Sequence, residues 1–76
     1  MVYMRNIMEL HNALDEHEVL DLRYRSGEES RILPSDELST CRGDLRVVRT
    51  ITADRCVILI DPAEVERVIL RKGDLL

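Results

Sequence analysis

The chain has 76 residues, a net charge of −4, 45% hydrophobic residues, two tyrosines and neither Trp nor Phe. That length fits one domain, which buries only about 60 to 65% of the surface its unfolded form exposes, so stability is modest unless copies associate, and the core must be aliphatic. An acidic total argues against a general electrostatic grip on nucleic acid, and no apolar run approaches the roughly 20 residues that span a bilayer.

The charge is unevenly placed. Residues 1–22 carry Arg5 against five acids, for −4, whereas residues 23–56 carry seven arginines against six acids, for +1. An acidic front followed by an arginine-rich middle leaves room for a local arginine site. Cys41 and Cys56 do not make a secreted disulfide framework, and no basic start with an apolar run is seen at the front. The expected location is cytoplasmic.

Met4, Ile7, Met8, His11 and Leu14 recur at spacings of three and four, which predicts an amphipathic helix over residues 5–16. His11 and His17 lie six apart, on different sides of such a helix, so no metal site is expected. Asp15, Glu16 and Glu18 sit where the helix ends. With Glu9 they form an acidic surface suited to a basic protein partner.

Val19 to Arg25 alternates, with Leu20, Leu22 and Tyr24 on one face and Asp21, Arg23 and Arg25 on the other, as in a strand with one wet side. Ser26-Gly27-Glu28-Glu29 supplies a turn, and Ser30 to Leu33 returns. In that register Tyr24 meets Arg31 and Leu22 meets Leu33. A tyrosine beside an arginine either packs across the strands or offers a stacking face and a forked donor to an anionic ligand. Pro34 stops the ladder. Ser35-Asp36-Glu37-Leu38 reads as one helical turn capped by Ser35, and Thr40 to Asp44 as a polar connection.

Leu45 to Ile60 is the longest stretch rich in β-branched residues and reads as a hairpin turning at Ala53-Asp54, with Val47 facing Ile60 and Ile51 facing Cys56. Leu45, Val47, Arg49, Ile51, Cys56, Ile58 and Ile60 share the core face. Arg49 needs a partner there, or a bulge that carries it out. The other face bears Val48, Val57 and Leu59, an apolar cluster that calls for a cover, either the N-terminal helix or a second copy of the chain. Asp61-Pro62-Ala63-Glu64 is a one-turn coil with Pro62 at its first position. Val65 to Leu70 makes a fifth strand with Val68 and Leu70 inward, and Leu75 and Leu76 either fray or mark a contact made only in an assembly.

The expected fold is therefore mainly β (α+β): a single domain over residues 1–76, with an N-terminal helix, a five-stranded antiparallel small barrel over residues 18–71 and a short tail, 72–76. This order resembles the Sm-like and SH3-like small barrels, in which a one-turn coil separates the last two strands. Within that class Leu22-Arg23-Tyr24-Arg25-Ser26-Gly27, followed by Arg31-Ile32-Leu33-Pro34 and Leu38, looks like the opening of the WYL domain of bacterial transcriptional regulators. That resemblance implies a sensor of nucleotide or nucleic-acid ligands, with Tyr24 and Arg31 at the matching positions. The helix before a barrel and the acidic charge are also similar to the Rho-binding antiterminator, which implies occupation of a nucleic-acid-binding partner.

No Ser/His/Asp set, phosphate-cradling glycine loop or paired catalytic carboxylates is present, so neither an enzyme nor a cofactor is expected. The leading expectation is a regulatory module that binds a nucleotide or single-stranded nucleic acid through Arg23, Tyr24, Arg25, Arg31 and Arg46. The alternative is a protein-interaction module, docking a basic partner through Glu9, Asp15, Glu16 and Glu18 or self-assembling through Val48, Val57 and Leu59.

Overall fold

In the computed structural model, which describes residues 3–72, one N-terminal helix precedes six strands. The elements are α1 (Met4–Asn12), β1 (Glu18–Tyr24), β2 (Glu29–Ile32), β3 (Glu37–Cys41), β4 (Asp44–Ile51), β5 (Asp54–Ile60), a 3-10 turn (Pro62–Glu64) and β6 (Val65–Lys72). The strands form two antiparallel sheets of three, ordered β2-β1-β6 and β3-β4-β5. Among the described residues no strand pairing joins the two sheets into a closed barrel.

The core lies between the sheets. Leu20, Leu22, Ile32 and Val65 come from the first, Leu45, Val47 and Ile60 from the second, and Ile7 from the helix. Met4, Met8 and Leu14, on the expected stripe, pack around this cluster half-buried. The helix ends at Asn12, sooner than expected, and Ala13 and Leu14 turn the chain by bonding back to Glu9 and His11. Asp15, Glu16 and His17 therefore belong to the connection into β1 and not to a helix terminus.

The sixth strand is β3. Where a helical turn and a polar connection were expected, Glu37 to Cys41 pairs with β4, Leu38 opposite Val47 and Cys41 opposite Asp44. Ser35 does not cap a helix. Asp36 takes the capping work instead: its Oδ2 accepts from the Leu33 N–H at 2.8 Å while its own N–H donates to the Leu33 carbonyl, which closes the turn around Pro34. Pairing with an apolar neighbour strand here overrides the weak β preference of Glu37, and the β-branched Thr40 suits the strand.

Two registers differ from expectation in different ways. β1 pairs β2 with Leu20 opposite Ile32, Asp21 opposite Arg31 and Leu22 opposite Ser30, so Tyr24 and Arg31 do not meet. The turn falls earlier in the chain than expected, because Tyr24 N–H bonds to the Glu28 carbonyl and Gly27, at φ 93, bonds back to the Tyr24 carbonyl. Only a residue free of Cβ adopts that φ at low cost. The odd slip turns Ile32 inward and Arg31 outward.

β4 and β5 pair with Leu45 opposite Ile60, Val47 opposite Ile58 and Ile51 opposite Asp54, which places the turn at Thr52-Ala53. This slip is even, so the two expected faces survive. No bulge forms at Arg49, since both β4 ladders run without interruption. The irregularity sits between Arg23 and Tyr24 in the β1–β6 pair. Leu70, expected inward, is 57% exposed although Leu20 opposes it, because β6 is an edge strand with no neighbour beyond it. Lys72 belongs to β6, and Leu75 and Leu76 lie outside the described residues.

Candidate interaction surfaces

On the outer face of the first sheet, the arginines expected to grip a ligand are held by the protein's own carboxylates. Asp21 is buried and central: Arg31 Nε donates to its Oδ1 at 2.9 Å, and Arg71 Nε stands 2.6 Å from its Oδ2. The hydrogen bond from Arg31, against the cost of burial and with Arg71 assisting, holds the Asp21 carboxyl below the usual aspartate range. The same partnership raises the Arg31 guanidinium. Arg23 forks onto Glu29 Oε2 at 2.9 and 3.1 Å. Arg25 Nε donates to the Ala63 carbonyl at 3.1 Å, and its N–H to that of Glu64.

Tyr24 lies on the opposite side of β1 from Arg31. Its hydroxyl donates to Ser30 Oγ at 2.7 Å, and its ring packs half-buried against the core. The five residues expected to make one ligand face are thus dispersed. Arg46 is on the second sheet, opposite Ser39 on one side and Leu59 on the other, with no carboxylate within ion-pair distance among the described residues.

The acidic residues are spread along the front of the chain. Glu9 accepts from Arg5 Nε at 3.0 Å within the helix, and its outer side borders an open groove formed with Asn6, Leu10 and Ala13. Asp15, Glu16, His17 and Glu18 line a second hollow with Lys72. No three metal-ligating side chains converge among the described residues.

Val48, Val57 and Leu59 do fall on one face of the second sheet. Val48 is buried between Glu37 and Val57, but the helix packs on the other side, and Val57 and Leu59 remain 51% and 56% exposed. Reasoning from the sequence missed that Ile58, on the core-side face, is also exposed, at 38%, as is Ile51. β5 is an edge strand, and among the described residues no strand pairs with it beyond β4. The signal was present in the unbroken apolar run Cys56-Val57-Ile58-Leu59-Ile60, which a half-buried strand alone does not need.

A third cluster ties the two sheets together. Arg49, on the core-side face of β4, donates from Nε and Nη2 to Asp36 at 2.9 and 2.8 Å, and from Nη2 to the Arg31 carbonyl of β2 at 2.8 Å. His11 Nε2 sits 2.8 Å from the Leu33 carbonyl in the same turn. Burial opposes the charge on Asp36, but bonds from Arg49 and the Leu33 N–H outweigh it and hold the carboxyl below its ordinary value. No family model, curated protein or solved structure matches the chain. The class its architecture defines is a small helix-capped pair of antiparallel sheets with an apolar strand at one edge.

Proposed function

We propose that this chain is a non-enzymatic protein-interaction module that recruits a partner by strand addition at β5, on a frame of the Sm-like or SH3-like kind. One observation carries the reading: β5 is a seven-residue edge strand with Val57, Ile58 and Leu59 consecutively exposed. Edge strands in isolated proteins are blunted by Lys, Pro, bulges or a covering element. β5 contains no Lys, Pro or Gly, its ladder with β4 is regular, and the helix lies elsewhere. Its unpaired backbone supplies hydrogen bonds and its alternating aliphatics supply apolar contact, the two requirements of strand addition.

The two-residue turn closes on the pair Ile51–Asp54, so the antiparallel alternation aims the backbone N–H groups of Arg55, Val57 and Leu59 at the free edge. Amide hydrogen exchange of the protein, diluted until light scattering gives a mass of one chain, with and without a synthetic peptide of residues 54–61 tests the reading. Saturable protection of those three amides is the expected result. Unchanged exchange at millimolar peptide sinks it.

A second reading, binding of a nucleotide or single-stranded nucleic acid, is favoured by Arg46. It projects from the second sheet beside Leu59 without a carboxylate partner among the described residues. The regulatory and cytoplasmic setting suggested by the WYL and antiterminator resemblances accommodates either reading.

A further inference from the structure

We infer that the strand added to β5 is β5 of a second copy, paired antiparallel about a two-fold axis through Ile58 and perpendicular to the sheet. This rests on the strand-addition reading above and names its partner. Such an axis keeps each face of the sheet continuous, so residues pair with partners of the same alternation, and the centre must fall on one residue of the strand.

The candidate centres differ in what they set opposite the charges. Centring on Cys56 sets Arg55 against Val57 and Asp54 against Ile58. Centring on Val57 sets Arg55 against Leu59 and Asp54 against Ile60. Centring on Ile58 sets Val57 against Leu59, Cys56 against Ile60 and Arg55 against Asp61. Only the last opposes aliphatic to aliphatic and cation to anion, twice over by symmetry.

Asp61, just past the end of the ladder, is able to meet Arg55 through its side chain. Its backbone is extended, at φ −81 and ψ 113, its carbonyl is already taken by the Glu64 N–H at 3.0 Å, and its exposed carboxylate, engaged only at Oδ1 by the Ala63 N–H at 3.0 Å, keeps Oδ2 for Arg55 of the second copy. Arg55 has no carboxylate within ion-pair distance among the described residues. The backbone agrees as well. Arg55, Val57 and Leu59 already aim their N–H and C=O groups outward, and in this register Val57 and Leu59 exchange those bonds across the axis. Ile58 then meets its own copy as a non-hydrogen-bonded pair, the arrangement with the closer Cα atoms. On the outer face the row Val48-Val57 continues into Leu59 and Arg46 of the second copy, so the apolar clusters of the two copies join side by side.

The experiment is disulfide trapping with mass measurement. In a Cys41→Ser, Cys56→Ser background, Ile58→Cys is oxidised beside Val57→Cys, and the unsubstituted chain is followed by light scattering across a dilution series. A Cα separation of about 4.5 Å suits a disulfide. The expected results are a mass of two chains for the unsubstituted protein and covalent dimer from Ile58→Cys, with little from Val57→Cys. Val57→Asp should return the mass to one chain. Covalent dimer from Val57→Cys in preference to Ile58→Cys overturns the register. A mass of one chain at millimolar protein overturns the self-pairing, and the peptide-protection result then separates the two failures: protected edge amides leave the addition of an isolated strand standing, and unprotected ones remove both.

Discussion

Arg49 of β4 and Asp36 of the β2–β3 turn form a forked ion pair that joins the sheets, because the same guanidinium also binds the Arg31 carbonyl of β2. The carboxylate is fully enclosed and the guanidinium only 27% exposed. Solvent screening therefore takes little from the pair, while the loss of one member strands the other.

Replacing Arg49 by Leu leaves a buried carboxylate with only the Leu33 N–H. The expected cost is about 3 kcal/mol, at the low end for a broken buried pair. Asp36→Asn keeps the shape and part of the hydrogen bonding and should cost about 1 to 2 kcal/mol. Urea unfolding followed by circular dichroism measures both. A loss below half a kcal/mol for Arg49→Leu would contradict the enclosed geometry.

The pH dependence follows from the two lowered aspartates. A carboxyl whose native pKa lies below its unfolded value contributes stability that is complete above the ordinary aspartate value of 3.8 and disappears as pH falls through the lowered native value. Stability should thus be flat from neutral pH down to about 5 and drop below about 4. Asp36→Asn and Asp21→Asn should each flatten that acid limb. Urea midpoints taken at intervals from pH 7 to pH 2 make the comparison.

How far the sequence revealed this fold depends on the residues concerned. The helix face, the β4–β5 hairpin faces and the one-turn coil were legible because aliphatic spacing reports them directly. The β1–β2 register was not, since the turn closes on Tyr24 and Glu28, earlier than the Ser26-Gly27-Glu28-Glu29 signal places it, and the alternation of Leu20, Leu22 and Tyr24 gives no reason to expect that shift. That odd slip carried Arg31 away from Tyr24 and onto Asp21. The β4–β5 slip was harmless because it was even. β3 was hidden because Ser35-Asp36-Glu37 looks like a helix start, whereas Asp36 is spent on Leu33 and Arg49. At the candidate surface, Val57 and Leu59 were legible as apolar and outward, but the exposure of Ile58 required knowing that β5 is an edge.

Two hairpin turns hold non-glycine residues at positive φ: Arg42 at 51, beside Gly43 at 87, and Thr52 at 55. Two-residue hairpin turns favour Asn or Gly there. Arg42→Asn and Thr52→Gly should therefore each raise stability by about 0.5 kcal/mol, or roughly 2 to 4 °C in Tm for a chain of this size. Neither position touches the core, and thermal melts of the single and double variants should show additive gains.

Asp21 stands between two arginines that come from the strands on either side of it, and this predicts a particular failure of additivity. Arg31→Ala leaves Asp21 with Arg71, and Arg71→Ala leaves it with Arg31, so each single change should cost little, given two half-exposed and solvent-screened guanidinium groups. Removing both strands a carboxylate whose side chain is 6% exposed, and the double variant should lose more than the two singles together. A double-mutant cycle by urea unfolding reads that coupling. If these arginines instead served chiefly to hold an external phosphate, the singles would be near-neutral for stability, the double no worse than their total, and Arg31→Ala would weaken single-stranded RNA binding in fluorescence anisotropy at low salt. The geometry at Asp21 predicts the reverse: a stability coupling, and no change in RNA binding that exceeds the effect of Arg46→Ala.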